Sequence, residues 1–414
     1  MGTGTFVKDR TYKAARKRGK VAAPPRGFDI PLLLTIVALL VFGLVMLYSA
    51  SWDFSLGVYG DPMKMLTRQV LWMVMGVFSA AILARFDYHH WRKLVLLAMA
   101  ITIVLLIGVL LLSEIRFNAK RAYIDGSVQP SELAKLVSII YLAVWMFSKR
   151  QSLQNIQLGL IPLGMILGIV GGLIYLQPDL SAAGTVLILG GLLFFLAGGD
   201  LKQISVLLIA ALLMGWLVVK ASPTGAERVS DFVNGIKDPT QASYHVRRSF
   251  EAIVNGGFLG TGIGRGVTKL LGLPVPPTDS IFAVVAEELG LIGSMVLIGL
   301  YSALVWRGMV IARRAPDMLG TLLASGMALW IGLEALINMA VMVGLMPFAG
   351  NALPFVSAGG SNLVVSLAAI GILLNISRQS GVTVEKGNDW RSFGAVVDLR
   401  WRNRRRRVSR ARRS

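Results

Sequence analysis

Cysteine is absent from this chain of 414 residues, and histidine occurs only three times, as His89, His90 and His245. Without cysteine there are no disulfide bonds and no thiolate ligands for a metal ion. Catalytic constellations of the Ser-His or Cys-His type and metal-ligand spacings are likewise missing from the sequence. The composition therefore gives no indication of a resident metal centre or of thiol-based catalysis.

Charged residues are also scarce, at 15% of the chain against 55% hydrophobic residues, and the mean hydropathy is +0.65. The apolar runs are long enough to cross about 30 Å of hydrocarbon, which predicts an all-α polytopic membrane protein. About ten transmembrane helices are expected, near residues 30–52, 66–84, 94–113, 131–148, 157–176, 180–197, 202–219, 280–306, 318–343 and 358–377.

The basic residues predict how the chain is oriented in the membrane. If ten helices cross it, 29 of the 42 Lys and Arg residues fall on one side, which the positive-inside rule identifies as the cytoplasm. Residues 1–28 and 379–414 are then basic cytoplasmic tails around a transmembrane domain, 29–378. Residues 221–279 form a long extracytoplasmic loop between helices 7 and 8. The basic tails are expected to lie near anionic lipid headgroups, with no nucleic-acid partner.

The densest group of ionisable residues falls at the end of that loop and in the apolar run after it. Ionisable side chains at a membrane boundary are expensive to desolvate and by default indicate a functional site. Asp279 precedes the apolar run, where it could cap a helix or accept a proton from a hydroxyl nucleophile, and the sequence leaves both open. The group comprises Arg247, Arg248, Arg265, Lys269, Asp279, Glu287 and Glu288.

Two stretches rich in glycine or helix breakers accompany this group. Residues 255–266 have glycine spacings seen in nucleotide-binding loops, but no strand precedes them and the Walker Lys-Ser/Thr is absent. Their glycines are expected to let the backbone turn sharply and approach a neighbour or a ligand. Residues 344–362 carry no charge and several helix breakers, which predicts a re-entrant or cavity-lining segment.

Other polar residues have simpler explanations. Glu132 and Lys135 are three residues apart after a Pro-Ser helix start, so they are expected to pair on one helix face. Asp179 follows a Gln-Pro turn and is expected to cap the next helix. Glu334 lies within an apolar run and needs a partner or a polar cavity. Arg121 lies in the outer loop before the fourth predicted span, and the sequence allows either a structural role or contact with substrate.

Taken in order, these stretches resemble the SEDS family of shape, elongation, division and sporulation proteins, which includes FtsW and RodA. The ordered set is specific, although each piece alone is weak, and the first piece and the basic amino-terminal tail are closer to FtsW. The matching pieces are GLVMLYSAS at 43–51, QPSELAK at 129–135, QPDL at 177–180, GGFLGTGIG at 256–264, TD at 278–279, IFAVVAEELGLIG at 281–293 and LPFVSAGGS at 353–361.

The resemblance implies a peptidoglycan glycosyltransferase that polymerises lipid II into a growing β-1,4 glycan chain beside a class B penicillin-binding protein and other division or elongation proteins. The family's essential acid falls on Asp279 and its loop lysine on Lys269. A divalent cation, Mg or Mn, is compatible with a pyrophosphate leaving group. Substrate contacts are expected at Lys269, Arg247, Arg248, Arg121, Glu287, Glu288, Ser357, Gly359 and Gly360. The implied location is the bacterial cytoplasmic membrane at the division septum.

The sequence departs from the family pattern near the acid, at Val275, Pro277 and Ser280, and at His245 in the loop. These departures affect the finer substrate contacts and leave the acid in place. Two other functions remain open from the sequence: a lipid II flippase without bond chemistry, and a non-catalytic scaffold of the division machinery.

Overall fold

The structure is a computed structural model that describes residues 27–112 and 129–380. The predicted basic tails, apart from their few membrane-proximal residues, lie outside these ranges, as does Arg121. The described residues fold into helices and turns without a β-strand. The α-helices are α1 Ile30–Tyr59, α2 Lys64–Arg85, α3 Trp91–Leu112, α4 Pro130–Ser148, α5 Ile161–Tyr175, α6 Leu180–Leu196, α7 Leu201–Ala221, α8 Pro223–Lys237, α9 Tyr244–Gly256, α10 Ile281–Arg314, α11 Met318–Met342 and α12 Gly360–Gln379.

Eight of the helical stretches in the described residues are long and apolar enough to cross a membrane. They are α1 to α5, with α5 extended by the π-helical turn Ile156–Leu160, and α10 to α12. The sixth and seventh predicted spans correspond to α6 and to Leu201–Trp216 of α7, which are apolar but shorter. The all-α polytopic fold class is therefore confirmed, and the total of ten spans stays a prediction.

Aspartate side chains begin three of these helices, because a carboxylate satisfies backbone N–H groups that have no partner in the first turn. Asp29 accepts from the Leu32 N–H at 2.9 Å, and Asp317 accepts from the N–H of Gly320 at 2.8 Å. Asp179 accepts from the Ala182 N–H at 3.2 Å, which confirms its predicted role as a cap.

Helices α4, α11 and α12 form the centre of the bundle, with most of their side chains buried. Glycine allows the surrounding elements to approach closely. A Cβ atom on Gly76 of α2 would lie 2.5 Å from the Leu367 side chain of α12. A Cβ on Gly43 of α1 would lie 2.3 Å from the Phe355 carbonyl oxygen. Larger residues at these positions would force the packed elements apart. Small residues at such contacts are typical of membrane helix bundles.

The long loop contains two helices, α8 and α9, that the sequence analysis treated only as polar loop. In α9, buried residues recur at helical spacing, at Val246, Ser249 and Ala252. The last buried residue, Gly256, approaches α10 so closely that a Cβ would lie 2.0 Å from the Ala286 carbonyl oxygen. The loop is therefore packed onto the bundle, and α9 fixes its position beside α10.

Helix α10 is interrupted at Gly290, where φ is 66° and ψ is −161°. The glycine-rich stretch after α9 lies against this interruption. The Thr261 N–H donates to the Glu287 carbonyl at 3.0 Å, and the Leu291 N–H donates to the Gly257 carbonyl at 2.9 Å. Backbone groups released by the break are thus satisfied by the loop, as a membrane-proximal break requires. The expected close approach of the glycines to a neighbouring segment is confirmed.

We expect reporters fused after residue 20 or after residue 385 to be cytoplasmic and one inserted near Asn234 to be external, because of the distribution of basic residues. Activity of paired cytoplasmic and periplasmic reporters at the three positions measures this. An external reporter after residue 385 would require an odd number of spans and would contradict the placement of the loop.

Candidate active site

Asp279 lies in the turn immediately before α10 and is partly exposed. Ser280 occupies the N-cap position of that helix, but its hydroxyl donates to the Pro274 carbonyl at 2.8 Å and caps nothing. The carboxylate faces the segment between α11 and α12, since a Cβ added to Gly350 would lie 3.4 Å from Asp279 Oδ2. The acid therefore lies between two irregular segments, the turn before α10 and the segment between α11 and α12.

Main-chain carbonyls around Asp279 are held by residues of the bundle. The Ser357 hydroxyl donates to the Thr278 carbonyl at 2.6 Å, and the Ala358 N–H donates to the Pro277 carbonyl at 2.8 Å. The Asn338 amide of α11 donates to the Asp279 carbonyl at 2.9 Å. Three consecutive carbonyls are thereby fixed, two of them by the segment 344–362, whose re-entrant or cavity-lining character stays a prediction.

The other predicted residues of that segment have packing contacts. Gly359 is the N-cap residue of α12. Gly360 lies against the Trp72 indole, where a Cβ would come within 2.5 Å of the ring. Two non-glycine residues beside the site have left-handed backbone, Val275 with φ 44° and Phe355 with φ 68°. Such conformations cost free energy and concentrate at functional sites.

A buried ionic cluster lies among α4, α11 and α12. Lys135 donates to Glu132 at 2.9 Å, which confirms the predicted pair, and it also forms a short ion pair with Glu334. The Asn362 amide donates to Glu132 at 2.9 Å and to Glu334 at 3.4 Å. Each charge therefore has an opposite charge as partner, and both carboxylates also accept from the Asn362 amide, so the buried ions are paired and hydrogen-bonded.

This cluster lies close to Asp279 along α11. Glu334 and Asn338 are four residues apart and therefore share one helix face. Asn338 contacts the Asp279 backbone, while Glu334 contacts Lys135. The sequence analysis placed Glu132, Lys135 and Glu334 in structural roles. Their link to the site could have been suspected from the sequence, because all three are ionisable residues within predicted spans.

Glu287 and Glu288, both fully buried, bind the glycine-rich loop. Glu287 accepts from the backbone N–H groups of Val267 and Thr268, each at 3.0 Å, and from the Thr268 hydroxyl at 2.8 Å. Glu288 accepts from the Gly264 N–H at 3.0 Å. These hydrogen bonds satisfy polar atoms that burial would otherwise leave without partners. Both acids are hydrogen-bonded to residues of the loop, and their contact with substrate stays a prediction.

Lys269 is engaged by the same group. Its ammonium donates to Glu288 at 2.7 Å and to the hydroxyl and carbonyl oxygens of Ser49 at 3.0 Å, and its side chain is 5% exposed. The Ser49 hydroxyl in turn donates to Glu288. The sequence analysis placed Lys269 in the long loop with an expected substrate contact, and the structure encloses it in an ion pair with Glu288.

The two arginines of α9 differ in accessibility. Arg248 donates to Glu251 at 2.5 Å and to the Tyr244 hydroxyl at 3.3 Å, so its charge is partly neutralised. Arg247 is exposed and donates only to the Thr240 carbonyl, at 3.2 Å, among the described residues. Of the two, Arg247 is the more available to an anionic ligand.

His245 joins the loop helices to the segment beside Asp279. Its ring stacks on Phe348 at a centroid distance of 4.1 Å, and the guanidinium of Arg228 lies 5.5 Å from the centroid of that ring. Burial and the positive charge of Arg228 lower the pKa of His245 below its usual 6.5. These surroundings therefore favour the neutral form of His245.

The described residues contain no cluster of three or more histidine, aspartate or glutamate side chains arranged to hold a metal ion. Asp279 is a single partly exposed carboxylate, which does not by itself form an all-protein metal site.

Comparison with known proteins identifies the family. A sequence model of the cell cycle proteins FtsW, RodA and SpoVE matches residues 31–381. The chain belongs to the FtsW/RodA/SpoVE family. It is 38% identical over 354 residues to a probable peptidoglycan glycosyltransferase FtsW of Trichlorobacter lovleyi, covering 84% of this chain and 93% of the relative. It is 36% identical over 361 residues to stage V sporulation protein E of Bacillus subtilis, covering 85% and 97%.

A solved structure has the same fold. It concerns a peptidoglycan synthase complex that coordinates polymerization and crosslinking, and it superposes with a TM-score of 0.70 at 28% identity. The alignment covers 85% of this chain and 98% of that chain. The resemblance inferred from the ordered motifs is thus confirmed, and the protein is a multi-pass protein of the bacterial membrane.

We expect Lys269→Met to destabilise the docked loop of this FtsW/RodA/SpoVE member, because Glu288 would be left buried without its cation. Breaking one side of a buried ion pair costs about 3–5 kcal/mol. Thermal unfolding in detergent and limited proteolysis of the loop would measure the effect.

The matched control is the double variant Lys269→Met with Glu288→Gln, in which neither partner is charged. Removing both partners costs less than removing one, so this variant should regain stability and activity together. A double variant that is stable yet inactive would instead assign Lys269 to substrate binding.

We expect the thermal stability of the loop to fall as the pH drops below about 6.5. The unfolded loop takes up a proton on His245 at higher pH than the folded one does, so acid favours unfolding. Arg228 is the charged group that opposes protonation. Melting temperatures measured between about pH 8 and pH 5.5 should show a smaller acid loss for His245→Gln, and an equal loss would remove His245 as the cause.

Proposed function

We propose that this protein polymerises lipid II into β-1,4-linked glycan, with Asp279 as the general base. Its relatives are named as probable peptidoglycan glycosyltransferases, and the motif resemblance places the family's essential acid at Asp279. The observation that carries the assignment is the placement of this acid. It is the partly exposed carboxylate whose three neighbouring carbonyls are fixed by Ser357, Ala358 and Asn338.

In this mechanism, Asp279 accepts the proton of the acceptor sugar's 4-hydroxyl. The hydroxyl oxygen then attacks the anomeric carbon of the growing chain and forms the glycosidic bond. The bond from that carbon to the lipid pyrophosphate breaks, and inversion converts an α-linked donor into a β-linked product. A general base of this kind contributes a factor of about 10²–10⁴ to the rate.

The pyrophosphate leaving group must be stabilised as its negative charge develops. Arg247 is exposed and has no acidic partner among the described residues, so it is the first candidate for this contact. Arg121 is a second candidate by sequence position alone. A divalent cation arriving with the pyrophosphate would assist by neutralising the same charge.

The buried cluster around Lys135 serves this site by positioning. Its ion pairs join α4 to α11, and Asn338 of α11 contacts the Asp279 backbone. Holding a catalytic group in the reactive geometry lowers the entropic cost of reaching the transition state.

A partner that crosslinks the glycan completes the proposal. The solved relative belongs to a synthase complex that couples polymerization with crosslinking. For this chain we infer a class B penicillin-binding protein as the transpeptidase, with both termini cytoplasmic and function at the division septum, since its relatives include proteins named FtsW.

The decisive variant is Asp279→Asn, which keeps the side-chain size and removes the base. Glycan formation from labelled lipid II by the protein and its co-encoded transpeptidase should fall by about 10²-fold or more. The control is Asp238→Asn in the same loop, where asparagine can still cap the turn that Asp238 caps through the Thr240 N–H. Both variants should unfold at the wild-type temperature in detergent.

Retention of more than about a tenth of the wild-type rate by Asp279→Asn would show that another group is the base. Glu287 and Glu288 would follow as candidates only if their loop contacts opened. The same assay separates the alternatives: a flippase moves lipid II across a bilayer but makes no glycan in detergent, and a scaffold does neither.

Arg247→Ala should lower efficiency at low lipid II concentration by about tenfold, because a charge-assisted contact with phosphate is worth about 1.5–3 kcal/mol. Arg248→Ala is the matched comparison on the same helix and should have a smaller effect, since Arg248 is already paired with Glu251. Equal effects of the two variants would contradict the distinction drawn from their pairing.

A further inference from the structure

An apolar groove runs along the outer surface of the bundle between α1 and α10. Its volume is about 610 Å³. Along α1 the lining extends from Leu34 to Met46, a length of about 18 Å at 1.5 Å per residue. On the other side it is lined by Leu289, Val296 and Leu300 of α10. All lining residues are apolar, so the occupant in contact with them is hydrocarbon.

The groove is held open by polar contacts at both ends. At the inner end, Arg307 of α10 pairs with Asp29 before α1, at 2.5 Å. At the outer end, the Ser49 hydroxyl of α1 donates to Glu288 of α10. These two attachments fix the spacing of the helices, so the space between them is a persistent feature of the fold.

The dimensions favour a single chain over a partner helix. Spread over its length, the volume corresponds to a mean cross-section of about 34 Å². A helix about 10 Å across has more than twice that cross-section, so a partner helix could cover the groove but not enter it. A single extended hydrocarbon chain fits inside.

The outer mouth of the groove lies at the level of the lipid headgroups. Tyr48 and Trp52 of α1 form an exposed aromatic pair there, with centroids 5.5 Å apart, as is typical of a membrane interface. The Gly264 N–H donates to Ser49 at 3.1 Å, which fixes the loop at this height. Ile263 of that loop lines the groove itself.

A cation stands beside this mouth. Arg265 is exposed, two residues after Ile263, and its guanidinium forms no hydrogen bond or ion pair with any residue that the structure describes. Lys269, the other nearby cation, is neutralised by Glu288. An anionic group at the end of a hydrocarbon chain would meet Arg265 at the headgroup level, where arginine binds phosphate well.

We propose that this groove binds the isoprenoid chain of a lipid-linked substrate and that Arg265 contacts the phosphate attached to that chain. The inference rests on the proposed function, because that function requires a substrate carried on a polyprenyl phosphate. It adds a lipid-binding subsite on the α1 and α10 surface to the chemistry at Asp279.

The test measures binding of a long-chain polyprenyl phosphate to the full chain in nanodiscs, without turnover. Val41→Trp places a bulky side chain in the groove and should weaken binding by about tenfold or more, since it removes at least two buried methylene groups of contact. The control is Val74→Trp on α2, where the valine is equally lipid-exposed but outside the groove. It should bind normally, and both variants should retain the wild-type melting temperature.

A second comparison tests the phosphate contact. Arg265→Ala should weaken binding of the polyprenyl phosphate about tenfold and leave binding of the uncharged polyprenol unchanged. Lys237→Ala, which removes an exposed cation from α8, should alter neither. Equal losses for the phosphate and the alcohol would overturn the role of Arg265.

Three results would overturn the groove assignment. Val41→Trp and Val74→Trp could bind the polyprenyl phosphate equally well. Phosphatidylglycerol could compete as strongly as the polyprenyl phosphate, which would make this an ordinary lipid site. Val41→Trp could also abolish binding of the transpeptidase while leaving the probe bound, which would make the groove a helix interface.

The assay separates this inference from the proposed function. If the wild-type protein binds the probe with these sensitivities but forms no glycan, the subsite stands and the polymerase assignment fails. If the protein forms glycan and Val41→Trp binds the probe normally, the polymerase assignment stands and the subsite fails.

Discussion

The break in α10 at Gly290 is the constraint on which the outer half of this protein depends. A helix interrupted near the membrane exposes backbone groups that lipid cannot satisfy, so another segment must supply their hydrogen bonds. The glycine-rich loop does so through Thr261 and Gly257. The same loop gives Glu287 and Glu288 the donors that make their burial possible. Loop, break and acids are therefore mutually dependent.

Pairing inside the protein decides which charges can act on a substrate. The sequence places four cations near the outer face, and by composition they are equivalent. In the structure Lys269 is neutralised by Glu288 and Arg248 is paired with Glu251, whereas Arg247 and Arg265 remain exposed. The Lys269–Glu288 pair is buried and already desolvated, so a phosphate would have to compete with Glu288 for the ammonium, whereas Arg248 is paired at a partly exposed position.

Local patterns predicted the parts of the structure that depend on nearby residues. Apolar runs located the long helices, and an i, i+3 spacing gave the Glu132–Lys135 pair. Such local patterns could not predict contacts between residues that are far apart in the sequence. Lys269 donates to Ser49, 220 residues away, and the Thr278 carbonyl beside Asp279 is bound by Ser357, 79 positions later. Helix α9 was missed because a search for long apolar runs passes over a short amphipathic helix of low overall hydrophobicity.

The arrangement around Asp279 supports the proposal that this single carboxylate serves as the base. Its backbone is held through Pro277, Thr278 and its own carbonyl, so the main chain has little freedom to move the carboxylate away from an acceptor. One of these contacts comes from Asn338, one helical turn from Glu334, and the ionic cluster therefore stiffens the support behind the acid. Groups that are already oriented need no reorganisation when charge develops, which is the main electrostatic source of catalysis. The left-handed backbone at Val275 and Phe355 is consistent with this rigidity, because ordered neighbours can maintain a strained conformation that would otherwise relax.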